Sequence, residues 1–380
     1  MSFGTLALIG ICGLAGPLLS SFGSGAVPAV VGEILAGIVI GRTGFNLIHT
    51  ANPTLSFFSD VGFAMLMLSA GMNVPLRDAS VRTALPHGAS CALAVAGLAI
   101  GAGFLVAQIH GVGHPAIYAL LIASGSAAVV LPIVQERRLR GQEVLSVVAQ
   151  VTVADIAATV AIPFVLRPVK AGEALAGSAL VAVALLAVYV AARRTRDADA
   201  VRRLRRTGKQ RGWAIDLRLA LIVLFGLAWI ARRTGASVLI AGFGAGLMVA
   251  AIGGPKRLST EVLGMAGGFF VPLFFVVLGA RLDLRGVFTH PSMVALALAL
   301  ASLTLVVHLL VAIAARQSPG AGLLASAQLG VPSAVVTLGL SEGLLSSAQA
   351  GAIIAAALIS LGASAAGASL LSRQVREASP

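Results

Sequence analysis

Apolar residues run along this chain in blocks of roughly twenty, separated by short polar or basic segments. A helix of about 20 apolar residues crosses about 30 Å of hydrocarbon. The pattern predicts thirteen spans, at about 5–20, 26–41, 56–73, 87–108, 115–134, 146–166, 172–192, 215–231, 236–252, 262–280, 292–315, 320–341 and 347–371. The predicted fold class is therefore an all-α polytopic membrane protein.

The spans repeat. The glycine-rich stretch 32–41 of span 2 has a counterpart in 240–246 of span 9. LMLSAGMNVPLRD (66–78) at the end of span 3 matches FFVVLGARLDLRG (274–286) at the end of span 10. SGSAAVVLPIVQE (124–136) in span 5 matches GVPSAVVTLGLSE (330–342) in span 12. Each pair is seven spans apart, and an odd offset inverts the second copy in the membrane. Spans 1–6 and 8–13 are thus expected to be inverted six-helix repeats, joined by a linker helix at about 172–192. Inverted repeats place a transport site near the midplane where they meet.

Spans 5 and 12 also carry helix-loosening residues at corresponding points. Ser124-Gly125-Ser126, with Pro132 soon after, stands in the middle of one, and Gly330-Val331-Pro332-Ser333 in the middle of the other. Gly and Pro weaken or remove helical hydrogen bonds, and serine hydroxyls can satisfy freed backbone groups. Two discontinuous, crossing helices are expected, whose half-helix ends present partial charges to an ion or ionisable side chain. The Gly37–Gly41 and Gly242–Gly246 pairs are better read as close helix packing.

Composition agrees with the pattern. Of the 380 residues 58% are hydrophobic and 11% charged, about half the charged fraction of a soluble protein. The net charge of +13 does not indicate nucleic acid, because the basic residues lie in loops between spans. Nine Lys/Arg fall in the loop 193–211 alone. Across the thirteen-span topology nineteen Lys/Arg lie on one side and seven on the other. The richer side is expected to be cytoplasmic, with the N-terminus outside, the C-terminus inside and the protein in a bacterial inner membrane. The basic loop is read as fixing topology, holding anionic lipid or docking a partner. Cys12 and Cys91 fall inside spans, so no disulfide framework or metal-type Cys/His spacing is present.

Candidate chemistry centres on Asp155, the only charge in SVVAQVTVADIAATVAIPFV (146–165). A carboxylate at such depth costs several kcal/mol, and such groups usually mark ion or proton pathways. Oxygen ligands suit Na⁺ or K⁺. The candidate set is Asp155, Thr152 one turn earlier, and Ser124 and Ser126 at the span 5 break. His308 in span 11 is a candidate proton relay or pH sensor, the other reading being a neutral histidine bonded to a backbone or serine group. Glu33 in span 2 and Asp60 in span 3 are secondary intramembrane acids, for which a structural role at a helix contact is favoured. Arg281 and Asp283 read as an interfacial pair. No nucleophile–base arrangement, P-loop or dinucleotide fingerprint is present, so neither an enzyme nor a cofactor is expected.

These residues resemble a known family. PAVVGEILAGIVIG (28–41), FFSDVGFAMLMLSAGMNV (57–74), the Asp155 span and FFVPLFFVVLGARLDL (269–284), in that order, are similar to the monovalent cation:proton antiporters of the second antiporter superfamily. That group includes bacterial sodium/proton exchangers and the membrane part of glutathione-gated potassium efflux systems. The resemblance covers nearly the whole chain. It implies a core at about 87–166 and 292–371 that moves against a panel at about 5–73 and 215–280, the panel serving homodimerisation. Many relatives append a cytosolic nucleotide-binding domain, and no such soluble regulatory domain is expected here.

The resemblance places Asp155 on the family's ion-binding aspartate. The preceding position, normally Asp, Asn or Gln, is Ala154, and His308 stands where the family often has a lysine. The family's Arg-Gly-Glu of span 12 is missing; Gln328-Leu329-Gly330 stands nearby, and Ser333 follows as an accessory candidate. The implied function is exchange of protons for K⁺ or Na⁺ by alternating access, with Asp155 holding proton and cation in turn. Without an oxygen from Ala154, loosely held K⁺ is favoured over tightly chelated Na⁺. The competing expectations are a passive channel or uniporter on the same fold, a non-transporting membrane sensor, and an organic-ion carrier.

Overall fold

The computed structural model describes residues 2–22, 29–73, 79–166, 171–195, 199–234, 236, 238–253, 256–282 and 284–377. Regular structure among them is entirely helical. Nine helical stretches among the described residues, three of them joining two or more of the helices named below, are long and apolar enough to cross a membrane, which makes this an all-α integral membrane protein. The spans expected at 26–41 and 236–252 are the shorter apolar helices Ala29–Ile40 and Val238–Ile252. The span at 115–134 is interrupted, and that at 215–231 carries charges at both ends. Length and apolarity therefore support nine spans among the described residues rather than the full count of thirteen.

The chain folds as two compact units. The first comprises Met1–Ser59, Asp78–Leu166 and Pro272–Pro380. It holds α1 (Phe3–Gly13), α2 (Ala15–Phe22), α3 (Ala29–Ile40) and the start of α4 (Pro53–Met72). Next come α5 (Ala79–His110), α6 (Pro115–Ala123), α7 (Ala127–Glu136) and α8 (Gln142–Leu166). The second unit, Asp60–Arg77 and Arg167–Val271, takes the rest of α4. It adds α9 (Ala171–Thr195), α10 (Asp199–Gln210), α11 (Ile215–Arg233), α12 (Val238–Ile252), α13 (Lys256–Met265) and a π-helical turn at Ala266–Phe270. The first unit resumes in α14 (Val271–Arg281), α15 (Leu284–Thr289), α16 (Pro291–Ala314), α17 (Pro319–Ala325), α18 (Gly330–Ser341) and α19 (Ser347–Glu377).

Small residues let helices meet backbone to backbone within each unit. A Cβ on Gly37 or Gly41 of α3 would collide with the backbone of Val276 or Ala280 of α14. In the second unit Gly242 and Gly246 of α12 stand as close to the Ala64 and Leu68 carbonyls of α4. Beside the first contact lies a core of Ile9, Cys12, Ile40, Ile48, Leu55, Leu273, Val276 and Val277. Between apolar helices in lipid, such close packing is a main source of association.

Local signals start the helices where the chain needs them. Pro115, Pro291 and Pro319 open α6, α16 and α17, at the position where a missing N–H is harmless. Ser318 caps α17 by accepting the Ala321 N–H at 3.3 Å. Glu143 of α8 accepts the Ser318 N–H, which ties α8 to the start of α17.

Two expectations are corrected. The break in span 12 lies at 326–329, four residues before its expected place, and residues 330–333 begin α18. Pro332 is the third residue of α18, where the N–H has no intrahelical partner in any case. The basic stretch 193–211 is not simply a loop, since it contains the twelve-residue helix α10. Positions 196–198 of that stretch lie outside the described residues, as does Asp283; Arg281 donates to Ser56 Oγ at 2.9 Å.

Candidate functional site

Span 5 stops and restarts. Helix α6 ends at Ala123, Ser124 closes it in an extended conformation, and α7 begins at Ala127. The Ser124 hydroxyl donates to the Leu121 carbonyl at 2.8 Å, so it caps its own half-helix. The gap lies against α8, since a Cβ on Gly125 would be 3.1 Å from Val151 Cα. Glycine at this point lets the unwound backbone rest on α8, one residue from Thr152.

Asp155 meets the restart. Its Oδ2 accepts the Ala127 N–H, the first of α7, at 3.0 Å. The residue is 6% exposed. The N-terminus of a helix carries free N–H groups and about half a positive charge, so the broken helix supplies what a buried carboxylate needs without a cationic side chain. Ser126 occupies the N-cap position, and its carbonyl accepts the Val130 N–H at 3.0 Å. Its hydroxyl does not cap.

Two of the predicted ligands and the accessory candidate Ser333 share one property. Ser126 Oγ, Thr152 Oγ1 and Ser333 Oγ are buried and have no hydrogen-bond partner. Buried hydroxyls without partners are rare, each costing about 1–3 kcal/mol. Thr152 is one turn from Asp155 on α8, and Ser126 adjoins the residue that bonds Asp155. Ser333 is in the first turn of α18, a helix that packs on α8.

The second break is joined to the first by a residue that the sequence reading named only as standing near the missing Arg-Gly-Glu and gave no role. Gln328, between α17 and α18, is buried and donates from Nε2 to the Leu121 carbonyl at 2.6 Å and the Ser124 carbonyl at 3.5 Å. A neutral amide thus satisfies the negative end of α6. The available signal was a lone glutamine two residues before Gly330 in an apolar span.

The other candidates lie apart in their bonding. His308 is buried and its Nδ1–H donates to Thr304 O at 2.9 Å, within its own helix. Glu33 is buried on α3 with Oε2 unpartnered, and its Cγ lies 2.9 Å from where a Cβ on Gly16 would stand. Asp60 belongs to the second unit and pairs with Arg232 at 3.4 Å, with both side chains partly exposed. Among the described residues no group of three or more His, Cys, Asp or Glu could hold a metal ion.

The family model described as sodium/hydrogen exchanger, transmembrane, matches residues 5–370. The putative Na(+)/H(+) antiporter YjbQ of Bacillus subtilis is 24% identical over 381 residues, covering 94% of this chain and 61% of that protein. The glutathione-regulated potassium-efflux system protein KefC of Cronobacter sakazakii is 26% identical over 293 residues, covering 75% of this chain and 46% of that protein. The chain therefore spans about half to two thirds of the length of these relatives. In fold it is similar to the sodium proton antiporter MjNhaP1 of Methanocaldococcus jannaschii, with a TM-score of 0.65 at 15% identity, covering 98% of this chain and 97% of that one.

Proposed function

The chain belongs to the sodium/hydrogen exchanger family, and we propose that it is a secondary antiporter exchanging protons for K⁺ or Na⁺, with Asp155 carrying each in turn. The observation that supports this most is the company of Asp155. A buried carboxylate faces a helix N-terminus, with partnerless hydroxyls one turn away on α8 and next to its backbone donor. Oxygens left without donors are what a desolvated alkali cation requires.

Protonated Asp155 is neutral and crosses with its surroundings. Deprotonated, it crosses only with a cation, since a bare charge in a low-dielectric site costs several kcal/mol. Ser126 Oγ, Thr152 Oγ1, Ser333 Oγ and freed carbonyls at the breaks complete the ion's shell. The Gln328 and Ser124 bonds hold α6 in place beside it. With one titrating carboxylate, one proton exchanges for one cation and transport is electroneutral. The site-bearing helices alternate between outward-open and inward-open states. A homodimer in a bacterial inner membrane, with the N-terminus outside and the basic 193–211 segment at the cytoplasmic surface near anionic lipid, completes the reading.

The test is proton flux in proteoliposomes driven in turn by Na⁺, K⁺, Li⁺ and Rb⁺. Asp155→Asn keeps an oxygen for the Ala127 N–H and removes the charge, so the variant folds and exchange is lost. Full exchange by Asp155→Asn sinks the mechanism, and cation flux without proton coupling in the wild type identifies a uniporter instead.

A further inference from the structure

A groove of about 630 Å³ lies between α5 and α16 in the first compact unit, and no residue of the Asp155 site lines it. Its walls are apolar along Ala94, Gly97, Leu98 and Leu310, and at one end it is lined by His87 and Ser90. Leu98 and Leu310 are exposed, so the groove opens to the outside of the unit. The membrane-crossing part of α5 is Thr83–His110, which puts Gly97 and Leu98 at its middle and His87 one turn from its end. From His87 to Leu98 the helix rises about 16 Å, and half of a bilayer's hydrocarbon is about 15 Å thick. The groove therefore runs from the membrane boundary to the midplane, the depth of one leaflet. A Cβ on Gly97 would meet nothing within 4 Å, so this glycine leaves the floor open instead of admitting a neighbouring helix.

Hydrogen-bond donors gather at the boundary end. The Gln317 amide nitrogen lies 3.3 Å from His87 Nε2 and donates to Ser146 Oγ at 2.9 Å. A bond from Gln317 to Nε2 puts the imidazole proton on Nδ1, as a donor. The exposed Arg316 stands between Gln317 and Ala315, which also lines the groove. Glu143, the acid of this corner, accepts the Ser318 N–H. We propose that the groove holds one acyl chain of a membrane glycerophospholipid, with the lipid phosphate at His87 and Arg316. Depth selects the occupant, because what reaches an open groove inside a membrane span comes from the bilayer. Apolar walls one leaflet long, with donors at the boundary, match a single chain and its anionic phosphate. Lipid tails are as apolar as these walls, so close packing holds the chain, and charge-assisted bonds to the phosphate distinguish this lipid from the bulk. The site is separate from the basic 193–211 segment, which lies in the second unit, and it does not depend on what the protein transports.

The experiment adds palmitoyl-oleoyl phosphatidylglycerol to the purified full chain in detergent and counts the lipid retained per chain by native mass spectrometry. The wild type should retain one. Gly97→Leu fills the floor, so its affinity should fall by about 5- to 150-fold, the cost of overpacking a filled site. Its thermal midpoint without lipid should stay unchanged, since the new side chain enters open space. Arg316 has φ 57°, a conformation asparagine tolerates, and Arg316→Asn should bind at least about tenfold more weakly through loss of a bond to a charged group. A phosphatidylglycerol carrying a mid-chain diazirine, in proteoliposomes of the wild type, tests the site without any variant. Its label should be denser at 91–98 and 310–315 than at Phe104 and Ile109, which are exposed on the same helix. No lipid retained by the wild type, unchanged affinity in either variant, or label no denser in the groove than at Phe104 and Ile109 overturns the proposal. So does a smaller oligomer for Gly97→Leu in gel filtration, which would make a second copy of the chain the occupant.

Discussion

Ser126→Ala and Thr152→Val should separate stability from cation binding. An N-cap serine replaced by alanine ordinarily costs about 1 kcal/mol, because its side-chain oxygen accepts an N–H of the first turn. Ser126 stands at that position, yet its Oγ has no partner. The capping bond at the start of α7 goes from Ala127 to Asp155 at 3.0 Å. Deleting the hydroxyl therefore breaks no bond and removes a buried group that costs about 1–3 kcal/mol to leave unsatisfied. The void of one oxygen atom offsets a few tenths of a kcal/mol of that, at about 24 cal/mol per Å³. Thr152→Val leaves almost no void. Both variants should thus be as stable as the wild type or up to about 2 kcal/mol more stable when no cation is present. If these oxygens hold the ion, each is worth about 1.5–3 kcal/mol as a bond to a charged group. That is a rise of about 10- to 150-fold in the KM for the cation, at 1.36 kcal/mol per decade. The assays are thermal unfolding in cation-free detergent and cation-driven proton flux in proteoliposomes. A variant that loses more than about 1 kcal/mol of stability while keeping its KM refutes the reasoning, because the hydroxyl would then be structural.

Two further outcomes follow from the helix contacts. Gln328→Leu removes the donor to Leu121 O, but that carbonyl keeps the Ser124 N–H at 3.2 Å and the Ser124 hydroxyl at 2.8 Å. The loss should stay near 1 kcal/mol, seen as a small drop in the thermal midpoint; a collapse of the fold would show that Gln328 holds more than these bonds. Gly37→Val should cost more than the 1–3 kcal/mol of ordinary overpacking, because the added atoms meet the Val276 backbone rather than a movable side chain. Loss of a monodisperse peak in gel filtration checks this, and a wild-type profile contradicts the close α3–α14 contact.

Much of this arrangement was legible in the chain, and what was not has a physical cause. Apolar runs gave the helices because lipid leaves a spanning backbone little other choice. Asp155 stood out because it is the only charge in its span. Ser124-Gly125-Ser126 marked the first break, yet the two serines look alike in sequence and behave differently. Ser124 follows a helix and bonds back to the Leu121 carbonyl, whereas the Ser126 hydroxyl precedes one and bonds nothing. Gly330 and Pro332 suggested a break, but a proline in the first turn interrupts no bond, so the helix starts there instead. Gln328 bonds the Leu121 carbonyl across 207 residues of sequence, and no local pattern carries such a contact. The breaks pointed to half-helix ends facing an ionisable side chain, but which backbone N–H meets Asp155 has no side-chain signature.

The bond between Ala127 and Asp155 also bears on how tightly exchange is coupled. Both residues fall in the expected core at about 87–166, so in the proposed cycle the bond travels with the carboxylate. Its contribution is the same in the outward-open and inward-open states and cancels from the barrier between them. What changes in transit is access of water to the second carboxylate oxygen and to the unpartnered hydroxyls of Ser126 and Thr152. Removing that water from a bare carboxylate costs several kcal/mol; a cation or a proton replaces it. If the penalty is about 4 kcal/mol, the empty carrier crosses about a thousandfold more slowly than the loaded one. Net downhill cation uptake, with no counter-gradient of protons or cations, should then run about three orders of magnitude below cation–proton exchange in the same proteoliposomes. A net uptake within tenfold of the exchange rate would mean that bare Asp155 crosses with little penalty. The helix N-terminus would then be stabilising the charge well enough on its own to uncouple the carrier.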